Sequence, residues 1–264
     1  MKIRFYVNGG KPQAKAARKT LAAEAKRLGL SVITTGAADV VIALGGDGTM
    51  LRAVHELPDQ PLLGLNLGGL GYLSSVGESE FAKALHMLAQ GRYSVSERAM
   101  LEVRRGESIA TALNEIAVLN GMTGHAAVLD VESAGRAVTR YMADGLVIAT
   151  PTGSTAYSLA AGGPVLMPDV RALVMTPLNP HALGARPVVV RDTVRLTVTS
   201  RRRVNGKVEP VGVYADGEKA FELGADAAVE IRRAAVTAKL VELDGYDPYE
   251  VMSRKLGWSG SNVR

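Results

Sequence analysis

Along the first ninety residues, short apolar runs alternate with stretches in which apolar residues return every three or four positions. Residues 3–7, 32–35, 40–44 and 62–65 read as strands, and 40–44 is so uniformly apolar that both its faces should be covered, as in a parallel sheet. From Pro12 onward, Ala14, Ala17, Leu21, Ala25 and Leu28 share one helical face, with Lys and Arg elsewhere, and Gly29 ends the helix. Further helices are predicted over 50–57 and 79–90, with a glycine-rich stretch at 68–71 between them. Strand and helix in alternation make a doubly wound α/β pattern.

After Gly91 the period changes to two. Val194, Leu196 and Val198 face one way, and Arg195, Thr197 and Thr199 the other. Asn205-Gly206 and Asp216-Gly217, pairs that tolerate positive φ, suit hairpins between such runs. A helix over 249–256 carries Val251, Met252 and Leu256 and is closed by Gly257. The fold class expected is α/β plus mostly β. An N-terminal doubly wound α/β nucleotide-binding domain over 1–93 precedes a β-rich domain over 94–246, and residues 247–264 return to the first domain.

Composition narrows the chemistry. Apolar residues at 47% and charged residues at 22% exclude a disordered or fibrous chain. A net charge of +5 favours anionic partners such as nucleotides or polyphosphate. Without cysteine there is no thiol nucleophile, disulfide or zinc ribbon. His55, His86, His125 and His181 lack paired metal spacing, and no GxSxG is present. Arg201, Arg202 and Arg203 have no aromatic interleaving, so they read as a solvated strand edge and no nucleic-acid partner is expected. The opening has no apolar signal core and no run approaches the roughly 18 residues of a membrane span, so a soluble cytoplasmic protein is expected.

Three segments carry candidate chemistry. GGDGT at 45–49 follows a buried strand and opens a helix, where glycines let backbone N–H groups approach a phosphate. It is neither a Walker A loop nor a GxGxxG fingerprint. Asp47 is the informative member: a carboxylate about 4 Å from a phosphate oxygen is repelled by about 1 kcal/mol in water and about 4 kcal/mol at an effective dielectric of about 20. It should therefore face a hydroxyl, a metal, or both, unless it is only a turn residue capping its helix. As a cap it would be replaceable by Asn with little loss of stability. In DGLVIATPTGSTAYSLAAGGP, from Asp144 to Pro164, hydroxyls, one aromatic ring and a carboxylate gather around a turn, the mixture that a ribose and an adenine ring require. The third segment, Asn114-Glu115, interrupts an apolar strand with an amide and a carboxylate, a weak signal by itself.

Taken together, GGDGT, Asn114-Glu115, the 144–164 block, TPLNPHALGARP at 176–187 and KLGW at 255–258 resemble the bacterial NAD kinases, within the superfamily of diacylglycerol kinase and phosphofructokinase. The resemblance runs in order over most of the chain, and the TPTGSTAY block is its specific part. It implies phosphorylation of the adenosine 2′-hydroxyl of NAD by ATP or polyphosphate, with a divalent metal, Mg²⁺ being expected. Asp47 matches the family's catalytic aspartate and Gly48 its phosphate-side glycine. Asn114 and Glu115 match the NAD-binding pair, and Asp144, Thr155, Ala156, Tyr157 and Ser158 match residues lining the dinucleotide site. Arg52 and His125 stand where polar or basic contacts are frequent. Met142 stands where relatives carry arginine or another residue, which bears on the choice between NAD and NADH, and Glu218 is left out of the site. The family also implies a site between the two domains, completed by a second subunit of a homodimer or homotetramer. The alternatives are a lipid or sugar kinase sharing GGDGT, which the TPTGSTAY block opposes, and a dinucleotide-binding sensor without turnover, which Asp47 opposes.

Overall fold

The computed structural model describes residues 1–7, 12–69, 71–74, 76–121, 125–201 and 210–258. The expected turn at Asn205-Gly206, together with Arg202, Arg203 and part of the glycine-rich stretch at 68–71, lies outside them. The chain forms two compact units, Met1–Glu97 with Ala238–Arg264, and Arg98–Thr237.

The first unit begins with strand β1 (Lys2–Val7), helix α1 (Pro12–Arg27), β2 (Ser31–Ile33), β3 (Val40–Leu44), helix α2 (Asp47–Glu56) and β4 (Leu62–Asn66). The two-residue strand β5 (Val76–Gly77), a 3₁₀ turn and helix α3 (Phe81–Ala89) follow. The strands form a parallel sheet in the order β2-β1-β3-β4-β5. All five residues of β3 are buried, as its unbroken apolar run requires. Ile3, Phe5, Ile42, Leu44, Leu63 and Leu65 pack with Leu21 and Ala25 of α1 and with Phe81, Leu85 and Leu88 of α3. Val41 and Ala43, which strand alternation turns to the other face, are buried too, and α2 packs on β3 and β4 with Met50, Ala53 and Val54 buried. Helices thus cover both faces of the sheet.

The second unit begins within β6 (Tyr93–Arg105) and continues through β7 (Ser108–Ala112), β8 (Glu115–Asn120), β9 (Ala127–Ser133), β10 (Arg136–Ala143) and β11 (Gly145–Ala149). After the one-turn helix α4 (Tyr157–Ala160) come β12 (Ala172–Leu178), β13 (Val188–Arg191), β14 (Arg195–Arg201), β15 (Val211–Ala215), β16 (Glu218–Leu223) and β17 (Ala228–Leu243). One antiparallel sheet runs β13-β12-β11-β8-β15-β16, and β10, β9, β14 and the first part of β17 pair in succession in the other. Leu129, Val131, Leu196 and Val198 from the second sheet share a core with Ile116, Val118, Leu146, Ile148, Leu173 and Met175 from the first. On the outer face of the six-stranded sheet, Ala117, Val147, Ala149 and Leu178 pack with Ala161, which seats the 150–163 loop there. Asp216 (φ 47°) and Gly217 (φ 85°) turn the β15–β16 hairpin in the left-handed region, as their pairing predicts.

The last part of β17 and helix α5 (Pro248–Leu256) belong to the first unit. Asp247 caps α5 by accepting from the Tyr249 amide at 2.8 Å, and Gly257 ends it at φ 66°.

Candidate active site

In the first unit, β3 delivers the chain into Gly45 and Gly46, and α2 starts at Asp47, one turn before the first apolar residue of its stripe. The N-cap is Gly46, without a side-chain cap bond. Asp47 therefore does not cap its own helix, which corrects the plainer expectation for it. Its carboxylate turns instead to the segment 71–74, at the end of the glycine-rich stretch: Oδ2 accepts from the Tyr72 amide at 2.9 Å. Oδ1 accepts from the amides of Leu73 (3.1 Å) and Ser74 (3.0 Å) and from the Ser74 hydroxyl (2.9 Å). Gly71 makes this approach possible, because a Cβ there would collide with Asp47 Oδ1 and Ser74 Oγ. Gly48, exposed in the first turn of α2, has open space where a side chain would stand. Arg52 is exposed on the same helix, beside Tyr6 and Glu56. Burial, then the hydrogen bond to Glu56, pushes the Tyr6 hydroxyl up to about 12, with Arg52 working against the shift. From α5, the Lys255 ammonium lies 5.6 Å from the centre of the Tyr72 ring, within cation–π range.

In the second unit, Asn114 and Glu115 are buried at the entry to β8. Their backbone is gripped by Asp216, whose Oδ2 accepts from the Leu113 amide at 2.7 Å and whose Oδ1 accepts from Asn114 (2.7 Å) and Glu115 (3.2 Å). Thr150 ties the loop to the same place, donating its hydroxyl to the Leu113 carbonyl at 2.6 Å and its amide to that of Asn114 at 2.9 Å. Gly153 lies so close to the Asn114 main chain that a Cβ there would overlap it. Burial and then the negative charge of Asp216 push the Glu115 carboxyl up to about 7, against a smaller opposing pull from the Tyr157 amide. Its Oε2 is buried without a hydrogen-bond partner among the described residues.

Asp144 and Tyr157 line one concavity with Leu119, Asn120, Ala161 and Asn179. Asn179 donates to Asp144 Oδ2 at 2.9 Å and Asn120 to Oδ1 at 3.5 Å, while Tyr157 is 41% exposed. His125 is exposed and meets Asn120 through its carbonyl, which accepts at 2.7 Å. Thr155 donates to the Thr152 carbonyl at 3.0 Å, and Ala156 links that 3₁₀ turn to α4. Ser158 is fully buried and shares a 2.8 Å hydrogen bond with Thr176, so its hydroxyl belongs to the loop's packing. Asp216, Asn120, Asn179 and Ser74 are site-shaping residues that sequence reasoning did not single out. Asp216 carried a signal as half of a hairpin pair, and Asn179 lay within the TPLNPHALGARP stretch. Among the described residues no three of His, Asp or Glu converge to hold a metal ion.

Both segments recur in known proteins. Residues 7–93 match the ATP-NAD kinase N-terminal domain and residues 113–243 the ATP-NAD kinase C-terminal domain. The chain belongs to the NAD kinase family. It is 42% identical over 228 residues to the NAD kinase of Symbiobacterium thermophilum, covering 84% of this chain and 79% of that one. Against the NAD kinase of Geotalea daltonii the identity is 40% with the same coverage. Among solved structures, an NAD kinase from Archaeoglobus fulgidus in complex with ATP aligns with a TM-score of 0.80 at 25% identity, over 98% of this chain and 100% of that one. A yeast NADH kinase complexed with NADH aligns with a TM-score of 0.85 over 99% of this chain and 88% of that one. At 24% identity the latter likeness concerns the fold.

Proposed function

We propose that this enzyme transfers the γ-phosphoryl group of ATP to the adenosine 2′-hydroxyl of NAD, giving NADP and ADP. The observation that carries the proposal is Asp47: a carboxylate in the glycine-flanked first turn of a helix, oriented by four donors, beside the open space at Gly48. Such a group is misplaced against a phosphate and suited to a hydroxyl. Asp47 takes the 2′-hydroxyl proton, the freed oxygen bonds to the γ-phosphorus, and the bond to the β-phosphate oxygen breaks as ADP leaves. Much of the remaining work is alignment. Glu115 and Asn114 recognise the dinucleotide from a buried, preorganised backbone, and Asp144 with Tyr157 offers an acceptor and an aromatic face for the nucleoside.

The reaction needs a divalent cation to neutralise phosphate charge. Among the described residues no three of His, Asp or Glu converge to hold one, and Mg²⁺ would enter with the ATP. Polyphosphate is the second donor to be tried. The same reading makes the protein a cytoplasmic homodimer or homotetramer. No helix among the described residues is long and apolar enough to cross a membrane.

The test is product identity. Purified protein with ATP, Mg²⁺ and NAD should generate a dinucleotide that an NADP-specific dehydrogenase reduces. ATP consumption without such a product would redirect the assignment to another acceptor.

A further inference from the structure

The two oxygens of Asp47 are not equivalent. Oδ1 receives three donors, the amides of Leu73 and Ser74 and the Ser74 hydroxyl, which fills the two lone pairs it offers. Among the described residues Oδ2 receives only the Tyr72 amide and keeps acceptor capacity. Behind Oδ1 the polar chain continues inward. Ser74 is fully buried, and its hydroxyl, which must donate to the carboxylate, accepts from Asn66 Nδ2 at 3.0 Å. Asn66, only 3% exposed, also donates to the Gly69 carbonyl at 2.6 Å and accepts from the Gly68 amide at 2.9 Å, so its orientation is fixed at both ends. Two glycines leave room for this relay: a Cβ on Gly64 would stand 2.7 Å from Ser74 Cα, and one on Gly71 would overlap the Ser74 hydroxyl.

We infer that Asn66 and Ser74 are positioning residues that hold Asp47 through Oδ1, and that Oδ2 is the atom that accepts the substrate proton. The inference rests on the proposed role of Asp47 as base. A carboxylate free to rotate would present either oxygen and several torsions to the hydroxyl. One clamped at Oδ1 by a buried relay presents a single oxygen at a fixed angle, so less reorganisation accompanies proton transfer. Ser74 and Asn66 are buried and do not themselves face a ligand. Their effect should therefore fall on turnover and not on substrate affinity.

The experiment is a double-mutant cycle in the NADP-forming assay on the full-length protein, with Ser74→Ala, Asp47→Asn and the pair. Ser74→Ala should lower kcat about tenfold, the size expected for losing one hydrogen bond to a charged group, while KM for NAD and for ATP stays within about twofold. In the Asp47→Asn background the same change should alter the residual kcat by less than about twofold, because the relay then has no carboxylate to hold. Ser74→Cys, which keeps the bulk with a weaker donor, should fall between wild type and Ser74→Ala, and it carries the test should Ser74→Ala fail to fold. Unchanged kcat in both Ser74 variants, a fall matched by rising KM, or an equal loss in the Asp47→Asn background overturns the relay. Failure of the underlying reading looks different: Asp47→Asn itself then turns over like wild type.

Discussion

Glu115 is buried, with one oxygen unpartnered among the described residues, and faces the charge of Asp216, so its carboxyl is held up to about 7. The consequence for stability has a definite sign. Below the unfolded value of 4.5 both states are protonated and there is no penalty. As pH rises from there to about 7, the unfolded chain loses its proton before the folded one, and stability falls, reaching its full cost of about 3 kcal/mol above that window. Glu115→Gln should flatten the fall in melting temperature between about pH 5 and about pH 8, and a variant that still follows the wild-type slope would place the titration elsewhere. Tyr157→Ala should weaken NAD binding by about 1 to 3 kcal/mol if the exposed ring stacks on the nucleotide, and calorimetry on the folded variant reads this directly. Asp47→Asn is no longer the neutral change that a helix cap would allow. An amide at 47 still accepts through its single oxygen but sets its NH₂ donor against the Tyr72 N–H, so about 1 to 3 kcal/mol of stability should be lost.

At the scale of elements, α2 and the segment 71–74 work as one unit, and Gly71 is the position that permits it. Gly71→Ala would drive a methyl into Asp47 Oδ1 and Ser74 Oγ, so both turnover and melting temperature should drop, whereas an equally cautious change at Gly48, where a Cβ meets open space, should leave stability nearly intact. Differential scanning of the two variants side by side separates these outcomes. The elements themselves were legible from local pattern. The apolar run of β3, the three-and-four spacing of α1, and the Asp, Pro and Gly signals around α5 each act within a few residues of where they are written. Helix α2 begins one turn earlier than its apolar stripe suggests, because the stripe is silent about Gly46, Asp47 and Gly48. The contacts of Asp47 with residues 25 to 27 positions away, and of Asp216 with amides more than 100 positions away, were not legible. Which distant amides a carboxylate meets depends on sheet order and loop path, and no local periodicity encodes that.

For the whole molecule, the change from helical to alternating periodicity near residue 91 anticipated a change of architecture, since each period has to match the surface it packs on. The sheet edges bear on assembly. β13 is an edge strand of the six-stranded sheet, yet Val188 and Val189 on it are exposed, at 40% and 48%. An apolar edge of this kind is ordinarily covered, so sedimentation should give at least a dimer of the 27.8 kDa chain, and an active monomer would refute that expectation.

The central claim is that Asp47 acts as a base on a dinucleotide hydroxyl. It is tested most directly by kcat for NADP formation in Asp47→Asn, with NAD affinity and fold measured on the same preparation. The account predicts a folded, NAD-binding protein whose kcat is lower by about 10² to 10⁴. A folded variant with wild-type turnover would contradict it and leave Asp47 as the anchor of its loop alone.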